Sequence, residues 1–517
     1  MEPDPDHAGV GKRPEPDSPL GLSVSTAPVA GRGFFMTTTP RSNATIGGLY
    51  LITDTSDSAR LFECCQLALR GGVRQLQYRD KTRPFDEQLA IAQRLRQLCH
   101  HHQAQLIIND NIALARACMA DGVHLGQQDG AIAVARAALG PAALIGRSCR
   151  TVAQALAAAA EGANYLGVGS VYPTRTKNDA VHIGLEGLRA IRAAVDLPLV
   201  AIGGIDAAGL PAVIAAGADG AAVVSALMTD PRPDLAAREM ALLFHRRQPV
   251  PCGRVLTIAG SDSGGGAGIQ ADIKTISLLG GYASSVITAL TAQNTLGVSG
   301  IHAVPANFVR QQLRAVLDDL GADVIKTGML LNSEIIRTVA EELRGQAGLT
   351  VVDPVMIAKG GASLLQQDAI DALISQLLPQ TYLLTPNLPE AEALTGRGIT
   401  SVDAMEQAAI RLQQLGARHV LIKGGHLAGA PVDLLRQGTT TLLLQGERLD
   451  SAHTHGTGCT TAAAVAALLA RGFALAEAVR LTKTFIETAI RHAPGYGQGH
   501  GPVNHYLAAA ALRPQLD

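Results

Sequence analysis

Two α/β units in tandem are predicted: a closed (β/α)8 barrel, then an open, layered α/β sheet. Three observations predict this. From Gly48 the chain alternates strand-like and helix-like runs eight times within about 200 residues, the repeat of a closed barrel. The regularity breaks at His245–Gly253, where two prolines interrupt it. Beyond the break, apolar strand-like runs return without eightfold regularity, as in an open sheet covered on both faces.

The barrel strands are predicted at Leu49–Asp54, Arg74–Asp80, Leu106–Asp110, Gly122–Leu125, Leu144–Cys149, Tyr165–Val171, Leu197–Gly203 and Ala221–Val224. Helical periodicity fills the gaps, as at Phe85–Cys99 and Ala153–Glu161. Residues 1–45 are rich in Pro, Asp, Gly, Ser and Thr and read as a disordered tail, with Met36 an alternative first residue. The barrel is expected over 46–245 and a linker over 246–253, extended at ~3 Å per residue and so spanning at most ~25 Å. A second unit is expected over 254–517, with strands at Val255–Ala259, Asp323–Met329, Thr350–Pro354, Tyr382–Asn387 and Val420–Gly424.

Composition narrows the function. Lys and Arg number 43 against 44 Asp and Glu, so nothing points to a nucleic-acid or membrane-surface partner. The seven cysteines include no CxxC pair, which predicts a reducing, cytoplasmic compartment and argues against disulfides or structural zinc. No apolar run reaches membrane-spanning length. The oligomeric state stays open, a homo-oligomer included.

In a (β/α)8 barrel the chemistry sits at the C-terminal ends of the strands. The second strand ends in Gln77-Tyr78-Arg79-Asp80-Lys81, and alternation places Gln77, Arg79 and Lys81 on one face. Two cations and an amide suit a polyphosphate and a polar ring, or else form a salt-bridged, solvated strand end. Asn109-Asp110 ends the third strand, and Asp129 follows the fourth. A lone Asp at a strand end is commonly a helix cap; the pair on neighbouring strands favours Mg²⁺. Ser148 ends the fifth strand, and Thr174, Thr176 and Lys177 lie in the loop after the sixth. Gly203-Gly204 and Val224-Ser225 after the seventh and eighth form the expected phosphate cup of a TIM barrel. Two phosphate regions, one cationic with metal and one of backbone amides, suit joining a pyrophosphate-activated fragment to a phosphorylated one.

In the second unit, His455-Gly456-Thr457-Gly458-Cys459-Thr460 runs into the Ala-rich stretch Thr461–Ala470. A Gly-rich turn feeding a helix N-terminus offers unpaired amides and positive potential to a phosphoryl group. A helix N-terminus also lowers a thiol pKa, so Cys459 is either an activated base or a small buried filler among alanines. The Gly-rich opening Gly260–Gly268 suggests a phosphate loop but fits neither the Walker pattern nor the dinucleotide fingerprint.

Over roughly 46–230, Tyr50-Leu-Ile-Thr-Asp54, Gln77-Tyr-Arg-Asp-Lys81, Ile108-Asn-Asp110, Gly126-Gln-Gln-Asp129 and Tyr172-Pro-Thr-Arg-Thr-Lys177 resemble thiamine-phosphate synthase. The resemblance implies coupling of hydroxymethylpyrimidine diphosphate to a thiazole phosphate, giving thiamine monophosphate and pyrophosphate. It implies Mg²⁺ on Asp110 and Asp129, and pyrophosphate on Arg79, Asn109, Ser148 and Lys177 with Lys81. Gln77, Thr174 and Thr176 would orient the reactants, while Gly204, Val224 and Ser225 would take the thiazole phosphate.

Over 254–508, Gly260–Asp272, Gln293-Asn-Thr295, Lys326-Thr-Gly-Met329, Thr385-Pro-Asn387-Leu-Pro-Glu390, Lys423-Gly-Gly-His426 and His455–Cys459 resemble hydroxymethylpyrimidine (phosphate) kinase, a ribokinase-like three-layer α/β/α fold. That implies a pyrimidine side at Gly260, Asp272, Gln293 and Met329. Asn387 and Glu390 would join the Mg²⁺–ATP network, with Lys423 near ATP. Cys459 would act as base, with Gly456–Gly458 stabilising the transferring phosphoryl. A pyridoxal-type substrate is the alternative for this half, and a non-catalytic binding role the alternative for either. The two halves agree, since the kinase product is the synthase substrate.

Overall fold

A computed structural model describes residues 46–54, 56–174, 182–356, 366–425 and 431–516. Thr176, Lys177, His426 and the tail over 1–45 lie outside the described residues. Eight parallel strands close the barrel in sequence order: β1 Gly48–Ile52, β2 Gln75–Tyr78, β3 Gln105–Asn109, β4 Gly122–Leu125, β5 Leu144–Cys149, β6 Tyr165–Gly169, β7 Leu199–Ile202 and β8 Gly220–Val223. Side chains alternate between two destinations, as the strand period of two requires. Leu49 and Leu51 of β1 pack outward under the helices, whereas Tyr50 and Ile52 fill the barrel with Ile107, Tyr165 and Val200.

The second unit is a nine-stranded sheet: β9 Arg254–Asp262, β10 Tyr282–Asn294, β11 Gly297–Ala303, β12 Val324–Thr327, β13 Leu349–Val352, β14 Leu383–Leu384, β15 His419–Ile422, β16 Val432–Gln437 and β17 Thr440–Gln445, ordered β11-β10-β9-β12-β13-β14-β15-β16-β17. The centre is parallel and doubly covered. Val324, Val351, Leu383 and Leu421 face the Ala-rich helix Thr457–Ala470, while Ile325, Val352, Leu384 and Ile422 face the opposite helical layer. The antiparallel margins β10–β11 and β15–β16–β17 were not predicted. Their outer faces are partly exposed, so they lack the continuous apolar run that marks a buried parallel strand.

Of the linker expected over 246–253, Arg246 and Arg247 end a 3-10 turn, and 248–253 carry no helix or strand. Helix Pro233–Leu242 continues as a 3-10 turn over Leu243–Arg247. This helix is buried on two sides: Ala236, Ala237 and Met240 join the barrel core, and Leu235 and Leu242 join the core of the sheet unit. Close approach is built in at Gly71, where a β-carbon would stand 2.6 Å from that of Ala237. Polar contacts reinforce the junction. Arg418 donates to both oxygens of Asp230 at 3.0 and 2.9 Å, and Arg238 donates to the Ala347 carbonyl at 2.6 Å. Burial raises the Glu239 carboxyl above its usual range, with Arg418 drawing it back down.

Arg418→Ala leaves Asp230 with only the Arg232 amide and removes the cation that draws Glu239 down. The expected loss is roughly 3 kcal/mol of stability, read as a lowered denaturant midpoint at unchanged m-value; a shift within error would show that the pair is solvated and dispensable.

Candidate active sites

In the barrel, the strand ends bring most of the expected residues together. Asn109 closes β3, and Asp110 follows in the left-handed region at φ 60, which Asp tolerates. Lys81 reaches Asp110 at 3.1 Å. Asp129 accepts the Gly126 amide at 3.0 Å. Lost hydration and the adjacent Asp110 carboxylate raise the Asp129 carboxyl, while Lys81 acts in the opposite direction. Two carboxylates in mutual repulsion are a place where a divalent cation is stabilised. Among the described residues no cluster of three or more His, Cys, Asp or Glu forms a metal cage. A two-carboxylate site completed by water and phosphate oxygens is the usual arrangement for Mg²⁺.

The structure corrects the shared face expected of Gln77, Arg79 and Lys81. The Gln77 side chain is only 3% exposed and donates Nε2–H to the Tyr50 hydroxyl at 2.9 Å inside the barrel. It therefore parts from Arg79 and Lys81, which sit on the loop beyond β2 at the rim. Ser148 is half-buried in β5, its Oγ 2.9 Å from His124 Nε2. Burial pushes the His124 imidazole down to about 4, with Arg147 adding to the effect. Gly203 and Gly204 follow β7 with φ 105 and 62, and a β-carbon on Gly204 would stand 2.4 Å from the Pro173 carbonyl oxygen. Val224 and Ser225 follow β8, and Thr174 lies in the loop after β6.

Sequence reasoning missed Arg147, His124, Tyr165 and the part played by Tyr50. Arg147 donates to the carbonyls of Gly126 and Gly130, each at 2.8 Å, and so fixes the loop that carries Asp129. Its position beside Ser148 was the available signal.

In the sheet unit, a cavity of about 780 Å³ opens at the strand ends. Gly260, Gln293 and Met329 line it, as do Asn387, Glu390, Lys423 and the turn Gly456–Cys459. Asp272 does not. It is fully buried, accepting from Thr257 Oγ1 at 2.6 Å and pairing with Lys326 at 2.8 Å. Both contacts fall on Oδ2, and with Asp272 outside the cavity lining the hydrogen bond expected from it to a pyrimidine is not supported. Asp262 lines the cavity instead. It accepts the amides of Gly264, Gly266 and Ala267 at 2.8, 3.1 and 2.8 Å and meets His455 Nε2 at 2.9 Å. Burial alone would raise Asp262, but His455 and those amides hold it below the usual carboxylate range. The Gly-rich loop thus spends its amides on its own aspartate and not on a phosphate. Gln293 is held between Thr291 at 3.2 Å and His455 at 3.3 Å.

On the other wall, Asn387 and Glu390 form a reciprocal capping box at the start of helix Leu388–Thr395. Burial pushes the Glu390 carboxyl up to about 7, with Lys423 opposing and Asp353 adding. Lys423 pairs with Asp353 at 2.8 Å. Although burial would lower Lys423, Asp353 and Glu390 keep it above its normal range. Asp353 directly follows β13 and was missed, although the C-terminal edge of a parallel strand is where such a residue is expected.

The helix begins at Thr457, so Gly458 and Cys459, read from the sequence as part of the turn, lie in its first turn. Gly456 caps it at φ 80, and a β-carbon there would stand 1.8 Å from the Gly266 carbonyl oxygen. Cys459 alone among the seven cysteines is not buried away. Its thiol, expected to be lowered by the helix N-terminus, is instead pushed up to about 11. Loss of hydration is the main cause; Lys326 pulls it down while Asp272 and Asp353 push it further up.

Comparison with known proteins separates the two units in the same way. Residues 49–227 match the family described as thiamine monophosphate synthase, and residues 262–504 match phosphomethylpyrimidine kinase. The chain is 51% identical over 475 residues to the thiamine biosynthesis bifunctional protein ThiED of Geobacter sulfurreducens, covering 92% of this chain and 96% of that protein. It is 48% identical over 256 residues to the hydroxymethylpyrimidine/phosphomethylpyrimidine kinase of Bacillus subtilis, covering 49% of this chain and 94% of that one. A crystal structure of phosphomethylpyrimidine kinase from Clostridium difficile is 44% identical with a TM-score of 0.42, covering 46% of this chain and 99% of that chain. With likeness sustained across both units and the join between them, the chain belongs to the bifunctional thiamine-biosynthesis family, in which a thiamine monophosphate synthase and a phosphomethylpyrimidine kinase share one polypeptide.

Proposed function

We propose that the cavity of the sheet unit phosphorylates hydroxymethylpyrimidine and then its monophosphate with ATP, and that the barrel couples the resulting diphosphate to thiazole phosphate. The observation that carries this is the pairing of complementary sites in one chain. One has a thiol among amides and cations, and the other has two adjacent carboxylates beside a lysine. The units are taken as 46–245 and 254–517. The balanced charge and the absence of any membrane-spanning helix among the described residues support small-molecule substrates in the cytoplasm.

In the kinase, Cys459 gives up its thiol proton to solvent as the complex assembles. The thiolate accepts the proton of the substrate hydroxyl as its oxygen attacks the γ-phosphorus of ATP and ADP leaves, with the amides of the Gly456–Gly458 turn facing the developing charge. Gln293 and Met329 hold the pyrimidine, while Asn387, Glu390 and Lys423 serve ATP. In the barrel, Asp110 and Asp129 would hold Mg²⁺, which supplies charge neutralisation for pyrophosphate. Gln77 orients the pyrimidine, Arg79, Lys81, Asn109, Ser148 and Lys177 bind the leaving pyrophosphate, and Thr174, Thr176, Gly204, Val224 and Ser225 hold the thiazole phosphate. The protein's part in coupling is positioning and electrostatic stabilisation.

A one-pot assay with hydroxymethylpyrimidine, thiazole phosphate, ATP and Mg²⁺ tests the whole reading. Thiamine phosphate should form with the intact chain. Cys459→Ala should lower kinase kcat by ~10²–10⁴-fold while leaving coupling of supplied diphosphate unchanged. Asp129→Asn should lower coupling by ~10²-fold with kinase activity intact. Loss of both activities in either variant would overturn the division of labour.

The raised thiol gives an independent check. In the free protein, the iodoacetamide alkylation rate at Cys459 should climb about tenfold per pH unit from 7 to 9.5 without levelling. A plateau near pH 8 would show an activated thiolate in the resting site.

A further inference from the structure

Five side chains from five strands form an unbroken hydrogen-bonded line across the interior of the barrel. Gln77 of β2 donates Nε2–H to the Tyr50 hydroxyl of β1 at 2.9 Å. The Tyr50 and Tyr165 hydroxyls, on β1 and β6, are 3.1 Å apart. Tyr165 Oη lies 3.1 Å from His124 Nδ1 of β4, and His124 Nε2 lies 2.9 Å from Ser148 Oγ of β5. Both tyrosines are 1% exposed, so the line is closed to water along its middle. A β-carbon on Gly146 or Gly167 would fall within 2.7 Å of His124 or Tyr165 atoms, so neighbouring strands leave these rings their space.

Each hydroxyl has one proton and a neutral imidazole has one N–H, so the line can point only one of two ways. With the Gln77 amide donating into it, Tyr50 donates to Tyr165 and Tyr165 donates to Nδ1. His124 then carries its proton on Nε2 and donates to Ser148 Oγ. That leaves the Ser148 O–H free to donate outward to an anion and the Gln77 carbonyl oxygen free to accept. Reversal flips both ends together: Ser148 O–H is spent on Nε2, and Gln77 offers N–H instead of oxygen. An anion at Ser148 and an N–H donor at Gln77 therefore favour the same direction, and either ligand alone biases the other end toward it.

We infer that Tyr50, Tyr165 and His124 are positioning residues that couple recognition of a pyrophosphate at Ser148 to recognition of an amino-bearing heterocycle at Gln77. The inference rests on the reading of Ser148 and Gln77 as substrate contacts. It gives the barrel a preference for a substrate carrying both groups at once, beyond the sum of two separate contacts.

The test is a mutant cycle on the full-length chain, read as KM for the pyrimidine diphosphate and as inhibition by pyrophosphate. Kinase activity of the same chain reports folding. Gln77→Ala and Ser148→Ala should be non-additive in the otherwise unaltered chain, by about tenfold. The two should become additive when Tyr165→Phe interrupts the line without changing its volume. Tyr50→Phe, which breaks the line at a different bond, should act in the same way, so one poorly folded variant does not decide the matter. Additivity in the unaltered chain, or non-additivity that survives both Phe variants, overturns the coupling. A Ser148→Ala variant with unchanged pyrophosphate inhibition overturns the contact on which it rests, whereas a chain that forms no thiamine phosphate at all overturns the synthase reading.

Discussion

The ion pair between Lys326 and Asp272, wholly removed from solvent at 2.8 Å, is the constraint on which the kinase site is built. Burying two charges costs several kcal/mol per ion, which their attraction recovers only if each stays paired and hydrogen-bonded. Thr257 supplies the extra hydrogen bond to Asp272. A pair of apolar side chains would fill the same volume at lower cost, so packing alone does not account for it. What the pair supplies is a fixed cation near Cys459, opposed by Asp272 and Asp353. Loss of hydration, with the carboxylates adding, outweighs that cation at rest, and the thiol keeps its proton. Anionic substrate groups in the cavity would raise it further unless bound with their own cations, so the thiol becomes a base only as part of an assembled complex.

The barrel solves the opposite problem. Its carboxylates, Asp110 and Asp129, are left side by side at the rim with a largely exposed lysine, and the repulsion between them is relieved by whatever cation arrives. The polar groups beneath them are neutral: an amide, two phenols, an imidazole held unprotonated by burial, and a hydroxyl. Neutral groups can be buried once each finds a partner, which ions cannot do so cheaply. The barrel can therefore carry orientation through its core while leaving charge at its mouth.

Most of the architecture was legible in the chain because strand and helix periods alternate regularly and the strand ends carry the polar residues. The paired carboxylates, the strand-end Ser148, the glycines after β7 and the helix-opening turn at Gly456 were found that way. Asp272 misled because its motif says nothing of facing: it lies in the helix Gly268–Leu278, and only packing shows that it points at Lys326 and away from the cavity. Tyr50 and Tyr165 were hidden for the reverse reason, since an aromatic residue in a strand reads as core whether or not its hydroxyl has work to do. The Cys459 shift could not be read at all. A helix N-terminus is visible in sequence, but the desolvation and the two carboxylates that outweigh it come from distant segments.

The helix Pro233–Leu242 changes what the fusion means. A flexible tether would raise the local concentration of the intermediate by an amount set by its length. Here the helix that ends the first unit is folded, and its apolar residues are shared between two cores. Burying Leu235 and Leu242 against the sheet unit contributes ~1.5–3 kcal/mol each, and cutting the chain beyond this helix would return that surface to water. Arg238 and Arg418 would lose Ala347 and Asp230 at the same cut. The two enzymes are thus joined by mutual burial as much as by a peptide bond. The helix that completes the barrel also covers the kinase sheet, so the stability of each half is tied to the presence of the other.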